Sequence, residues 1–285
     1  TGESHRLTDS VRGVTKSIYS NGNFAQGTET TGLTSFDSNG FTVGNNTAYN
    51  NSTKKYVAWC WAAPTSETNT NGTLTSTIKK NVDAGFSIAT YTGNNTQNAT
   101  VGHGLGIEPK MVIIKRTDVA NAWWIALPIL GSNQFMEFST AAATTDVQYQ
   151  YTQTSDVFKF TSASQSAQYN ASGGSYVMYS FADIASYQKI GSYSGGSTNV
   201  ISTGFTPRFL MVKRSNGSTG WYIFDAARNT SNPRDLTLFA DSSAIESVQG
   251  AAYQPSFVTD GFSWPTTGGG GVNASGGDYI YLAIA

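Results

Sequence analysis

Asn170-Ala-Ser-Gly-Gly-Ser-Tyr176-Val-Met-Tyr-Ser-Phe-Ala182 is one of three renderings of a single phrase. The first is Asn50-Asn-Ser-Thr-Lys-Lys-Tyr56-Val-Ala-Trp-Cys-Trp-Ala62, and the last is Asn273-Ala-Ser-Gly-Gly-Asp-Tyr279-Ile-Tyr-Leu-Ala-Ile-Ala285. Each follows a turn phrase: Asp37-Ser-Asn-Gly-Phe41, Ser155-Asp-Val-Phe158 and Thr259-Asp-Gly-Phe262. Aligned on the tyrosine, the copies lie 120 and 103 residues apart, which is too long for a solenoid repeat and suits one small domain each. The apolar run after each tyrosine, bounded by Gly and Asn, reads as a strand covered on both faces.

A second phrase occurs twice. Gly85-Phe-Ser-Ile-Ala-Thr-Tyr91-Thr-Gly93 leads to Pro109-Lys-Met-Val-Ile-Ile-Lys-Arg116 and Trp123-Trp-Ile125. Its partner runs from Lys189-Ile-Gly-Ser-Tyr193-Ser-Gly195 to Pro207-Arg-Phe-Leu-Met-Val-Lys-Arg214 and Trp221-Tyr-Ile223. A complete module therefore has an opening half and a closing half. Residues 85–183 and 186–285 are complete, residues 1–63 contain closing strands only, and 64–84 is a linker or an inserted hairpin. Either an upstream segment supplied the strands missing from the orphan closing half, or this segment pairs with another chain, because unmatched strands leave open edges. The chain reads as modules in series, and its start at Thr1-Gly2 reads as processed or truncated.

Charged residues make up 12% of the 285 and aromatics 13%, with Thr, Ser, Asn and Gly abundant. Pleated faces accept β-branched and aromatic side chains, and Gly and Asn supply the turns. Turn clusters recur every 8–12 residues, the rhythm of a sandwich or jelly roll. The fold class is all-β, in tandem antiparallel β-sandwich modules of jelly-roll type with very little helix. Short helices are expected only at 139–143 and 240–246.

A net charge of −1 gives no case for nucleic acid or an anionic membrane, and no apolar run approaches the roughly 20 residues of a spanning helix. The pairs Lys54-Lys55, Lys79-Lys80, Lys115-Arg116 and Lys213-Arg214 read as solvated strand ends. Cys60, the single cysteine, reads as a buried, inert thiol on a core strand.

Little points to catalysis. His5 and His103 are the only histidines, and no nucleophile elbow, phosphate loop or zinc motif occurs. The best carboxylate pair, Asp225 and Asp235, has Leu127 and Gln134 at the aligned positions of the other module, so local Asp–Arg pairing accounts for it. Asp37, Asp156 and Asp260 read as turn caps; calcium ligation lacks clustered spacing. No catalytic residue, metal ligand or cofactor is assigned. The repeat scaffold comprises Tyr56, Tyr176, Tyr279, Trp123, Trp221, Pro109 and Pro207. The aromatics outside the repeat, Tyr149, Tyr151, Tyr169 and Tyr253, are the candidate ligand contacts, since Tyr-, Ser- and Asn-rich loops make adaptable surfaces. Function is expected where the copies disagree, in 64–84, 145–155 and 229–236.

The stretches at 32–44, 56–62, 102–115 and 221–229 resemble repeated domains of large virion-associated proteins of marine tailed bacteriophages, including cyanophages. The resemblance covers most of the chain. It implies a non-enzymatic virion protein on the particle surface, a tail fibre or capsid fibre attaching to the host. Expected partners are further copies of itself, other virion proteins and host-surface glycans. A capsid or tail decoration protein and a polysaccharide depolymerase are the alternatives. The depolymerase needs two carboxylates roughly 5–10 Å apart in one groove.

Overall fold

A computed structural model describes residues 2–131, 133–139, 141–145, 149–162, 167–265 and 268–285, with 144 and 145 described by backbone alone. The chain is all-β, built of antiparallel sheets, with short 3-10 turns such as Pro128–Leu130 and Ala251–Tyr253. The helices expected at 139–143 and 240–246 do not form at the described residues, and Thr140 lies outside them. Serine hydroxyls explain this. Ser139 Oγ accepts from the Ala141 N–H at 3.3 Å, and Ser242 Oγ from the Ala244 N–H at 3.1 Å, which closes turns where a helix would need those groups.

Two units have matching sheet orders. In residues 65–182 the large sheet runs Thr144–Thr145, Gln134–Met136, Trp123–Ala126, Met111–Arg116, Ser175–Phe181, Phe86–Thr92. A hairpin of Ser76–Asn81 and Thr65–Asn69 then extends it. In residues 188–285 the order is Ser247–Val248, Leu236–Phe239, Tyr222–Asp225, Phe209–Arg214, Asp278–Ile284, Gln188–Ser194. Each large sheet is backed by a small one: Tyr151–Gln153, Val157–Phe160 and Thr100–Gly102 in the first case, Ser256–Val258, Gly261–Ser263 and Ile201–Ser202 in the second. Strand alternation sends one set of side chains to each side. Tyr176 and Met178 join Trp124, Phe158 and Phe160 in one sandwich core, and Tyr279 and Tyr281 join Phe224, Phe262 and Trp264 in the other.

The opposite faces do not meet solvent. Val177, Tyr179, Phe181, Ile280, Leu282 and Ile284 belong to a third core, which the two large sheets share. The modules are tandem in sequence but are packed together rather than strung in series.

Residues 2–63 supply a third wall to this core and hold more than a closing phrase. Arg6–Leu7, Lys16–Tyr19 and Gly27–Thr28 form a sheet in the order of Tyr222–Asp225, Leu236–Phe239 and Ser247–Val248. A shared corner fixes the correspondence. Asp9 Oδ1 accepts from Val11 N and Arg12 N at 3.1 and 2.9 Å, as Asp225 Oδ1 accepts from Ala227 N and Arg228 N at 3.0 and 2.8 Å. Arg12 Nε reaches Asp9 Oδ2 at 2.5 Å, and Arg228 Nε reaches Asp225 Oδ2 at 2.6 Å. Each guanidinium also donates to the carbonyl five residues back, Leu7 or Ile223. Sequence comparison missed this pairing because only the Asp-x-x-Arg spacing survives.

The closing tyrosine builds the same local lock three times. Its hydroxyl accepts from the N–H five residues back and donates to the carbonyl nine back. The partners are Asn51 and Thr47 for Tyr56, Ala171 and Ala167 for Tyr176, and Ala274 and Gly270 for Tyr279. Surroundings differ. Tyr176 and Tyr279 are buried, whereas Tyr56 is 48% exposed, and residues 57–63 join no sheet. Tyr56 therefore shares the hydroxyl lock of the other two tyrosines but not the burial of their rings. Cys60, expected on a buried core strand, is exposed, and its thiol is pushed up by partial burial. Burial alternates here: Val57, Trp59, Trp61 and Ala63 are half-buried, with the last three packed on the shared core, while Ala58, Cys60 and Ala62 face outward.

Equivalent contacts link the units in cyclic order. Trp123 Nε1 of the second unit donates to Tyr19 O at 2.9 Å and Gly22 O at 3.3 Å in the first. Trp221 Nε1 of the third donates to Glu137 O of the second at 2.8 Å. His5 holds the corresponding place in the first unit, and its Nε2–H donates to Ser242 O of the third at 2.8 Å. Burial holds the His5 pKa below its ordinary value, which favours the neutral ring. The corners follow the same cycle: Tyr179 OH donates to Asp9 Oδ2 at 2.7 Å, and Trp59 Nε1 to Asp225 Oδ2 at 3.2 Å. At the remaining boundary Leu127, Leu130 and Leu282 substitute apolar packing. Trp61 joins the walls, its ring 6.4 Å from Phe86, 6.3 Å from Phe181 and 5.8 Å from Phe209.

Two basic pairs depart from the solvated reading. Lys115 and Lys213 are fully buried, and desolvation pushes each down to about 8. Lys115 Nζ donates to Arg116 O and Asn121 O at 2.9 and 2.8 Å; Lys213 Nζ donates to Arg214 O at 2.9 Å. These carbonyls belong to the dipeptide's own arginine and, for Asn121, to the turn that follows, so the lysine ties off its own strand.

Candidate functional site

Where two units meet, a cleft opens above the closing tyrosine of the later unit. Between the second and third units it measures about 650 Å³ and is lined by Ile129, Gln134, Ser192, Ser194, Asn216 and Asp278, over Tyr193 and Tyr279. The equivalent cleft between the first and second is about 390 Å³, lined by Arg12, Gln26, Thr90, Thr92, Thr117 and Ser175. The 65–81 hairpin explains the difference. Its Thr75–Thr77 segment lines the smaller cleft, because Ser76–Asn81 pairs along Phe86–Thr92. Gln188–Ser194 is an edge strand, so the corresponding space stays open in the third unit.

A polar rim is held in place beside the larger cleft. Asn216 Nδ2 donates to Asp278 Oδ2 and the Asp278 N–H returns to Asn216 Oδ1, both at 3.0 Å. Ser194 Oγ donates to Asp278 Oδ1 at 3.2 Å, and Arg214 Nε to Asn216 Oδ1 at 2.9 Å. Tyr193 stacks on Tyr279 at 5.0 Å and 15°, and its hydroxyl is bonded to Val272 O. Hydroxyls, an amide and an exposed carboxylate over an aromatic floor suit a neutral polyhydroxylated ligand, which needs donors and acceptors side by side.

The four tyrosines chosen as ligand contacts are elsewhere. Tyr151 and Tyr169 are 1% and 0% exposed, inside the core around Trp124, and thus cannot meet a ligand. Tyr149 lies against Phe135 at 4.3 Å and Tyr253 stacks on Tyr222 at 5.8 Å, both partly buried. Lacking a repeat partner did not make them surface residues, because each unit completes its core with its own aromatics. Trp123, Trp221, Tyr176, Tyr279, Pro109 and Pro207 are buried scaffold residues. Of the divergent loops, 64–84 is the hairpin and 229–236 is tied by Asn229 and Asp235, which exchange hydrogen bonds at 2.9 and 3.0 Å. Residues 146–148 of the 145–155 loop lie outside the described residues.

Asp225 is 3% exposed, and its carboxylate accepts from Ala227 N, Arg228 N, Arg228 Nε and Trp59 Nε1. That is corner chemistry. His103 is buried: its Nε2–H donates to Thr154 O at 3.2 Å, its Nδ1 accepts from Leu105 N at 3.2 Å, and burial lowers its pKa. Asn170 and Asn273, which head their closing phrases, are buried clamps, receiving the N–H of Asn94 and Gly196 at 3.0 and 3.1 Å. Among the described residues no group of three His, Cys, Asp or Glu side chains is placed to hold a metal ion, and no helix is long and apolar enough to cross a membrane.

No curated protein and no solved structure matches the chain. One family matches it along residues 1–285, described as Domain of unknown function (DUF7483), and the chain belongs to that family.

Proposed function

We propose that this chain is a non-enzymatic structural body of a bacteriophage surface appendage, a tail or capsid fibre, and that it holds host-surface glycan in the cleft between its second and third units. The observation that carries the glycan assignment is the rim of Ser194, Asn216 and Asp278 over Tyr193, left open where the hairpin narrows the equivalent cleft. Support for the appendage comes from the phage-like repeat phrases and from a polar, weakly charged composition. The cyclic contacts make the body a rigid mount for such a cleft.

An array of bacterial surface polysaccharides tests the reading. The unaltered chain is expected to bind a subset of neutral glycans. Asp278→Ala is expected to weaken that binding about tenfold, or about 1.4 kcal/mol, in line with the loss of one or two hydrogen bonds. Absence of binding across the array, or binding indifferent to Asp278→Ala and Ser194→Ala, would remove the glycan from this cleft. A decoration protein of the virion is the second reading, favoured by the exposed Ile245 and Val248 at the edge of the third unit.

A further inference from the structure

The two clefts between units correspond position by position. Gln26 N donates to Thr117 O at 2.9 Å and Ala143 N to Ser215 O at 2.7 Å, so Ala143 and Ser215 stand where Gln26 and Thr117 do. Counted from Asp9 and its counterpart Leu127, Ile129 takes the place of Val11, and Leu130 that of Arg12. On the opposite wall, Tyr91 pairs with Tyr176 as Tyr193 pairs with Tyr279. That register sets Ser192 and Ser194 at the places of Thr90 and Thr92, and Asp278 at the place of Ser175.

These exchanges give the larger cleft two unlike walls. The second unit's wall has Leu130 and Ala143 in place of a guanidinium and an amide, with Ile129 49% exposed beside them. Gln134 is the polar side chain of this wall; it is partly exposed and makes no side-chain hydrogen bond among the described residues. The third unit's wall gains the Asp278 carboxylate and keeps hydroxyls at Ser192 and Ser194. Asp278 Oδ1 accepts from Ser194 Oγ and Oδ2 from Asn216 Nδ2, which leaves each oxygen a further lone pair. Asn216 Nδ2 also donates to Gly276 O at 3.0 Å, so that amide is fully used. Among the described residues no lysine or arginine lines this cleft, and Arg214 is turned onto Asn216.

Each wall makes its own demand on a ligand. Acceptors are in excess on the third unit's wall, which asks for hydroxyl donors and repels a carboxylate, there being no lining cation to offset Asp278. The second unit's wall asks for an acceptor to satisfy Gln134 beside an apolar group to cover Ile129. An acetamido group has both, a carbonyl oxygen and a methyl on one carbon. A 6-deoxy sugar has the methyl with no carbonyl beside it, and a uronic acid has a charge in place of both.

We propose, resting on the cleft reading above, that the glycan held between the second and third units carries N-acetylated amino sugars. The acetyl group lies on the second unit's wall, its methyl against Ile129, Leu130 and Ala143 and its oxygen accepting from Gln134 Nε2. The ring hydroxyls donate to Asp278 and Ser194. The smaller cleft has Arg12 and Gln26 at two of the three apolar positions and takes no part.

The test uses the full chain and the surface polysaccharides that it binds on the array. Each is N-deacetylated with alkali and reacylated in parallel with acetyl or formyl groups, which share the N–H and the carbonyl and differ by a methyl. Every bound polysaccharide is expected to contain acetamido sugars. The formyl form is expected to bind about fourfold more weakly, or about 0.8 kcal/mol, the value of a buried methyl. Ile129→Ser, at an exposed position on a 3-10 turn, is expected to bring the acetyl-to-formyl ratio close to unity. Equal binding of the two forms overturns the proposal, as does a ratio unchanged by Ile129→Ser or equally tight binding of a polymer without acetamido sugars. Binding that is weakened by Asp278→Ala but indifferent to the acyl group overturns the acetamido assignment and leaves the cleft reading standing. Absence of binding across the array removes both.

Discussion

Removing one oxygen from each closing tyrosine separates the lock from its surroundings. In Tyr279→Phe the ring keeps its stacking on Tyr193 at 5.0 Å, and the Ala274 N–H and Gly270 carbonyl lose a partner held at 2.9 and 3.1 Å. Tyr176→Phe does the same to Ala171 N and Ala167 O, each at 2.8 Å. A buried group left unpaired costs about 1–3 kcal/mol, and two partly shielded groups together cost about 2–3 kcal/mol. Tyr56→Phe deletes the same two bonds from an exposed ring, where water replaces the hydroxyl, so the loss is about 0.5 kcal/mol or less. Urea unfolding of the three variants under identical conditions measures the difference, read as a shifted midpoint at constant slope. Equal losses at all three positions would refute the argument that burial sets the value of the lock. A loss at Tyr56 as large as at Tyr279 would mean that its surroundings are already filled.

Trp61→Ala removes the ring that touches Phe86, Phe181 and Phe209, and is expected to cost about 3 kcal/mol in the same assay. A loss below about 1 kcal/mol would show that the first unit is not part of the shared core. Lys115 and Lys213, pushed down to about 8 by desolvation, make stability rise with pH. Between the folded value and the ordinary 10.5 the unfolded chain binds the extra proton, so each lysine contributes about 1.5 kcal/mol of added stability from pH 8 to 9.5. Lys213→Met is expected to halve that rise, and a flat profile in the unaltered chain would contradict it.

The strands were legible because the repeats carry them: Met111–Arg116 and Phe209–Arg214 are the apolar runs bounded by proline and Lys-Arg. Packing between units was not legible. An apolar run covered on both faces reads identically whether its second cover is a helix, a small sheet or another unit. Tyr151 and Tyr169 looked like loop residues for lack of a counterpart, yet an aromatic without a repeat partner fills a core as readily as one with a partner. His5 was the least visible. It holds the place of Trp123 and Trp221 through one ring N–H, and no property shared with tryptophan except that donor reveals it. The cleft rim, Ser194, Asn216 and Asp278, lay within the repeats and was passed over because repeated positions were read as scaffold. How open the cleft above them is depends on whether a hairpin lies alongside, which no local pattern encodes.

The bond from His5 to Ser242 and that from Trp59 to Asp225 join residues 237 and 166 positions apart, and this imposes an order on synthesis. At about 5–20 residues per second, the partner of His5 leaves the ribosome roughly 10–50 s after His5 itself. Until Phe209 emerges, the half-buried face of Trp59 and Trp61 has only the second unit to pack on. The first unit, made before the other two, is therefore the last of the three to be finished, and its tryptophans are what a chaperone or a neighbouring nascent chain would meet in the interval.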